Sequence, residues 1–152
     1  MKKLLSLALA ASALAGLIST SAPAFASDTK VMMPIKAALE TDDAKAKLDG
    51  SVKLFFGATP TPKVLEKLGS DITSQKANAF GKAADAACNR AFLSDMMSLQ
   101  KRAKELGANA VINIVSNYKH VEFSSETEFE CHVGGLMVGA AFKADFVKIA
   151  DK

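Results

Sequence analysis

The stretch "FLSDMMSLQKRAKELGANAVINIV", residues 92–115, decides how this chain folds. Phe92, Met96, Leu99, Ala103 and Leu106 recur at steps of four, three, four and three, backed by Leu93 and Met97. That spacing lays an apolar stripe along one face of a helix. Gly107 stands just past the last apolar position, where a left-handed C-cap belongs, and Lys101, Arg102 and Lys104 suit the negative end of the helix dipole. The β-branched "ANAVINIV" follows without a linker, so the helix hands directly to a strand. The pattern predicts a long helix from about Lys76 to Leu106 and a strand over residues 110–123.

Working outward, "SSET" supplies a turn and "EFECHV" a returning strand, which predicts a hairpin of residues 110–123 with 128–133. Gly134 and Gly135 mark a bend. Beyond them Phe142, Ala144 and Phe146 alternate with Lys143 and Asp145, predicting a strand over residues 136–148 with one wet face. Upstream, Val52, Leu54 and Phe56 alternate in "SVKLFFG", a first strand at residues 51–56. Between it and the helix, "GATPTPKVLEKLGSDITSQ" holds two prolines and two glycines and reads as a loop with one helical turn at 63–68. Residues 35–48 form a weakly patterned short helix. The fold expected is α+β, a β-α-β-β domain over residues 51–152 with one long helix on a mainly antiparallel sheet, preceded by a polar segment at 27–50.

The chain opens with Lys2 and Lys3, an uncharged apolar run over residues 4–18, and an Ala24-Phe25-Ala26 ending. This is the pattern of a cleaved secretory signal, residues 1–26, and its apolar run is shorter than the roughly 20 residues that span a bilayer. Export to the periplasm or beyond is expected, with no lipid-bearing cysteine after the cut and no membrane span once the signal is removed. Without the two leader lysines, 17 basic residues face 16 acidic ones, so a nucleic-acid partner lacks its basic stripe. Cys88 and Cys131 lie in the exported part, where a bridge between them is the economical expectation and two buried free thiols the alternative.

Candidate chemistry is sparse. The only Gly-Lys pair, Gly81-Lys82, is followed by Ala83, and Lys76 stands where a P-loop needs glycine, so no nucleotide is expected. No G-x-S-x-G elbow occurs and neither cysteine has a C-x-x-C partner, which argues against an enzyme. Both histidines fall in the expected hairpin. A turn centred on Ser125 gathers Tyr118, His120, Glu122, Glu128, Glu130 and His132 on one face, of which His120, Glu122, Glu130 and His132 form a set able to hold a divalent transition metal, and turns Cys131 towards the core. A solvated polar face with cross-strand charge pairs is the competing reading, favoured because no H-x-x-x-H spacing occurs. No other cofactor is implied.

The run "LQKRAKELGANAVINI", a helix entering a strand directly, resembles the YbjQ-like family, labelled a heavy-metal-binding domain, and the related core of the Rcs stress-sensor outer-membrane lipoprotein. The resemblance covers residues 51–149. It implies a β-α-β-β domain, ring assembly in some members, and a helix-to-strand disulfide at places comparable to Cys88 and Cys131. "ACNRAFLSDMMSLQKRAKELGANAV" and "EFSSETEFEC" are also similar to small exported bacterial proteins labelled excinuclease ATPase subunit-like; the missing P-loop and the leader contradict the ATPase in that label. The function expected is a non-enzymatic exported binding or envelope-stress accessory protein with an envelope protein partner. The alternatives are a metal-binding protein and a ring-forming homo-oligomer joined through the glycine-rich strand.

Overall fold

The computed structural model describes residues 28–150; the expected signal segment lies outside them. In chain order the elements are β1 (Thr29–Pro34), α1 (Ile35–Leu39), α2 (Asp42–Lys47), β2 (Lys53–Phe56), β3 (Val64–Asn78), α3 (Ala84–Leu106), β4 (Ala110–Tyr118), β5 (Val121–Phe123), β6 (Glu128–Val133) and β7 (Met137–Ile149). The expected α+β class is what the chain adopts: one long helix on a seven-stranded, mostly antiparallel sheet.

β7 is the central strand. Along one edge it pairs antiparallel with β3 from Met137 to Ile149. Along the other it pairs with β4 near its C-terminal end and with β6 at Val138 and Gly139. β1 extends the sheet beyond β6, and β2 lies parallel to β4. Both edges of the glycine-rich strand are thus paired within the chain.

α3 carries the stripe that its spacing predicts. Phe92, Met96, Leu99 and Ala103 are fully buried, and Gly107 closes the helix at φ 73°, its N–H donating to carbonyls of Ala103 and Lys104. Phe92 stacks on Phe129 with ring centroids 4.5 Å apart and meets Phe142 edge-on at 5.6 Å. Cys88 in α3 is bonded to Cys131 in β6, with Cα atoms 5.9 Å apart and no free cysteine among the described residues. A smaller apolar cluster of Ala110, Ile112, Val147 and Ile149, joined by Phe55 and Val64, includes no helix residue.

Several expectations need correction. α3 begins at Ala84 and not near Lys76, because residues 64–78, expected to be a loop with a helical turn, form the longest strand of the sheet. Its pairing to β7 is broken by register shifts between Val64 and Glu66 and between Lys67 and Gly69, which accommodates the local irregularity that Gly69 signals. The β-α-β-β count is therefore too small, since β1 and β3 add to it. The helix expected over 35–48 is divided at Thr41, whose hydroxyl accepts from the Ala44 N–H and starts α2. The strand expected over 110–123 folds back on itself at Lys119 and His120, both at positive φ, so β4 and β5 form their own two-residue hairpin. The expected hairpin of 110–123 with 128–133 does not exist, because β6 pairs with β1 and β7.

Candidate functional site

Losing that hairpin separates the four expected metal ligands. His120 sits exposed in the β4–β5 turn at φ 64°, and Glu122 in β5 forms an ion pair with Lys143 at 2.6 Å. Only His132 and Glu130 come together, with Nε2 3.9 Å from Oε2. Among the described residues no group of three or more histidine, cysteine or carboxylate side chains is placed to hold a metal ion. The four-ligand metal set is thus corrected: strand pairing, not spacing, decides which side chains meet.

What the sheet builds around His132 is different. Cys131 faces α3, so the next residue points to the face that carries no helix. His132 pairs across to Gly139 of β7. There the imidazole stacks flat on Tyr118, with centroids 3.4 Å apart and planes 9° from parallel. Tyr118 arrives from the end of β4 and is the single tyrosine of the chain.

Asp28, just before β1, ties the pair down. Its carboxylate shares a 2.9 Å hydrogen bond with His132 Nδ1 and accepts from Lys119 Nζ at 2.9 Å and from the Tyr118 hydroxyl at 3.2 Å. The hydrogen bond from Lys119, then the one with His132, holds the Asp28 carboxyl down at about 2. Lys119 is pushed up by the same contact. The Tyr118 phenol is pushed up first by burial and then by the Asp28 charge. On the far side of the ring lies Glu130, buried, bonded at 3.1 Å to Lys30. Its backbone N–H donates to the Ser116 hydroxyl at 2.9 Å. His132 Nε2 is buried without a hydrogen-bond partner.

Beside this stack opens a cleft of about 380 Å³, with Ser74 and Lys76 of β3 on one side, Tyr118 and His132 on the other, and Met137 and Gly139 as part of its lining. Lys76 brings positive charge to it, whereas the charge of Lys119 is paired with the Asp28 carboxylate, which also lines the cleft. The arrangement offers a flat aromatic wall, a thioether and the Lys76 ammonium group. His132 turns Nδ1 to Asp28 and Nε2 towards Glu130 at 3.9 Å. A larger groove of about 700 Å³ runs between β3 and α3, lined by Gln75, Ser94, Met97, Ser98 and Lys101 among others.

Sequence reasoning put Tyr118 on one face with Glu130 and His132 without giving it a role, and missed Asp28 and Lys119. Asp28 and His132 are 104 residues apart and meet only because β1 pairs with β6. No family model, no curated protein and no solved structure matches this chain. Among the described residues no helix is long and apolar enough to cross a membrane.

Proposed function

We propose that the protein is a non-enzymatic, exported binding protein, an accessory of the bacterial envelope working in the periplasm, and that it holds an acidic group of a protein partner in the cleft beside Tyr118 and His132. The observation that carries this reading is the stacked Tyr118–His132 pair, fixed through Asp28 and bordering an open cleft lined by Lys76. A rigid aromatic wall with the Lys76 ammonium group at its rim suits a carboxylate-bearing ligand.

The export reading is supported by the leader pattern and by the pairing of both cysteines in a disulfide, a bond that persists in oxidising compartments. The non-enzymatic reading is supported by the pairing of both cysteines in that bond, which leaves neither thiol free. The resemblance to YbjQ-like domains and to the Rcs sensor core, with its helix-to-strand disulfide, favours a sensing or accessory role over a catalytic one.

The test is retention of envelope proteins on the immobilised protein, compared with Lys76→Glu, Tyr118→Ala and, as a control away from the cleft, Leu65→Ser. Selective loss of a specific partner with the first two variants is expected. Equal retention by all variants, or substrate turnover that vanishes in His132→Ala, would remove this reading.

A further inference from the structure

The outer edge of β3 has no partner strand among the described residues, although β3 is the longest strand of the sheet. Its first part is irregular, with register shifts up to Gly69, whereas Gly69–Asn78 pairs with β7 without interruption. Bulges protect an edge from pairing and a regular run exposes it. In an antiparallel ladder the backbone groups of alternate residues point away from the partner strand. The Ile72 N–H is one of these, because it is taken by the carboxylate of its neighbour Asp71 at 2.8 Å and not by β7. The same alternation turns outward the backbone groups of Ser70, Ser74, Lys76 and Asn78.

We propose that this edge pairs with the same edge of a second copy of the chain, antiparallel, with the two-fold axis at Ser74, so that two sheets become one. The inference is argued from backbone edge groups and does not rest on the binding role assigned to the cleft, although Ser74 and Lys76 belong to both surfaces. In this register Ser70 meets Asn78, Ile72 meets Lys76 and Ser74 meets itself, so every outward-facing residue of the regular run finds an outward-facing partner, with the Asp71 carboxylate exchanging its bond to the Ile72 N–H for solvent as the ladder forms. Shifting the axis by two residues either way leaves one end of the run unpaired or draws the bulged segment into the ladder.

Side chains fit the same register. Ile72, 49% exposed, lies against the aliphatic stem of Lys76 from the other copy. On the helix side Thr73 meets Gln75 and Asp71 meets Ala77, so no like charges stand opposite each other. The groove between β3 and α3, with Met97 exposed in it, lies along the same edge and is covered by the second copy. The contact is isologous and closes at two, so it makes a dimer and not a ring.

Light scattering of the purified protein from about 1 to about 200 µM reads the association directly. A dimer mass appearing with concentration is expected; a monomer throughout overturns the proposal, as does a trimer or larger ring. Ser74→Pro removes an outward N–H from the axis while leaving the β7 ladder intact, so it should give a folded monomer by circular dichroism. A dimer that persists in this variant contradicts the edge. Should Ser74→Pro fail to fold, Ser74→Cys keeps the register testable. Paired residues on the axis lie about 5.5 Å apart at Cα, within disulfide reach. Mild oxidation should therefore crosslink Ser74→Cys into a covalent dimer but leave Ser70→Cys, which faces Asn78, uncrosslinked. The reverse pattern, or no crosslink in either, refutes the proposed register.

Discussion

Asp95 offers the sharpest physical prediction. It lies in α3 with no exposed surface; one carboxyl oxygen accepts from the Thr73 hydroxyl at 2.9 Å and the other has no partner. Burial pushes its carboxyl up to about 8, against a single opposing hydrogen bond from Thr73. An unfolded chain releases that proton near pH 4. Between those two values the folded state binds more protons than the unfolded one, so stability falls as pH rises through the window. The slope is at most about 1.4 kcal/mol per pH unit, which sets a ceiling of about 6 kcal/mol across it. Relaxation around the ionised group lowers the realised loss to a few kcal/mol, on the order of 2 to 3.

Asp95→Asn keeps an acceptor for Thr73 and cannot ionise. Urea unfolding of both proteins at about pH 5, 6.5 and 8, followed by far-ultraviolet circular dichroism, separates this group from the rest, because titrations common to both cancel in the difference. The wild type should lose stability towards pH 8 while the variant loses much less, so that the variant is the more stable protein at pH 8 and the two lie within about 1 kcal/mol at pH 5. Parallel stability curves would refute the reasoning, since they would mean that Asp95 is either ionised or solvated in the fold.

Other consequences are simpler. Replacing Cys88 and Cys131 together by serine frees a loop with a sequence separation of 43 and should lower stability by about 4 kcal/mol, read as a fall in the urea midpoint of the variant relative to the oxidised protein. Gly57→Ala places a methyl group 2.8 Å from the Ser125 backbone at φ +56°, and should destabilise by about 1 to 3 kcal/mol in thermal unfolding. His120→Gly relieves a left-handed non-glycine turn residue and should stabilise by about 0.5 to 1 kcal/mol; a loss of stability would show that the side chain of His120 holds something in place.

The elements legible in the sequence are those whose own residues carry the signal. α3 announces itself through a stripe that ends at a capping glycine, and β7 through alternation of Phe142, Ala144 and Phe146. β3 was illegible because "SDITSQKAN" is a polar edge strand with only Thr73 and Ala77 buried, so it lacks the apolar alternation that marks a half-buried strand. Pairing was harder still. The hairpin expected from adjacency fails because β6 closes on β1 and β7, and that non-local choice unites Asp28, Tyr118 and His132 while dispersing His120 and Glu122. Cys131 and His132 were correctly placed on opposite faces, since that follows from the two-residue period of any strand.

The claim at the centre of this account is that the face carrying Tyr118 and His132 binds a partner. A photo-reactive residue substituted at Met137, 44% exposed beside the cleft, tests it in the native envelope against the same residue at Leu65, 62% exposed in the irregular part of β3. A discrete crosslinked partner from position 137, absent from position 65 and lost on adding Lys76→Glu, is the predicted result. Indistinguishable adducts from both positions, or an adduct at 137 indifferent to the charge at 76, would contradict it.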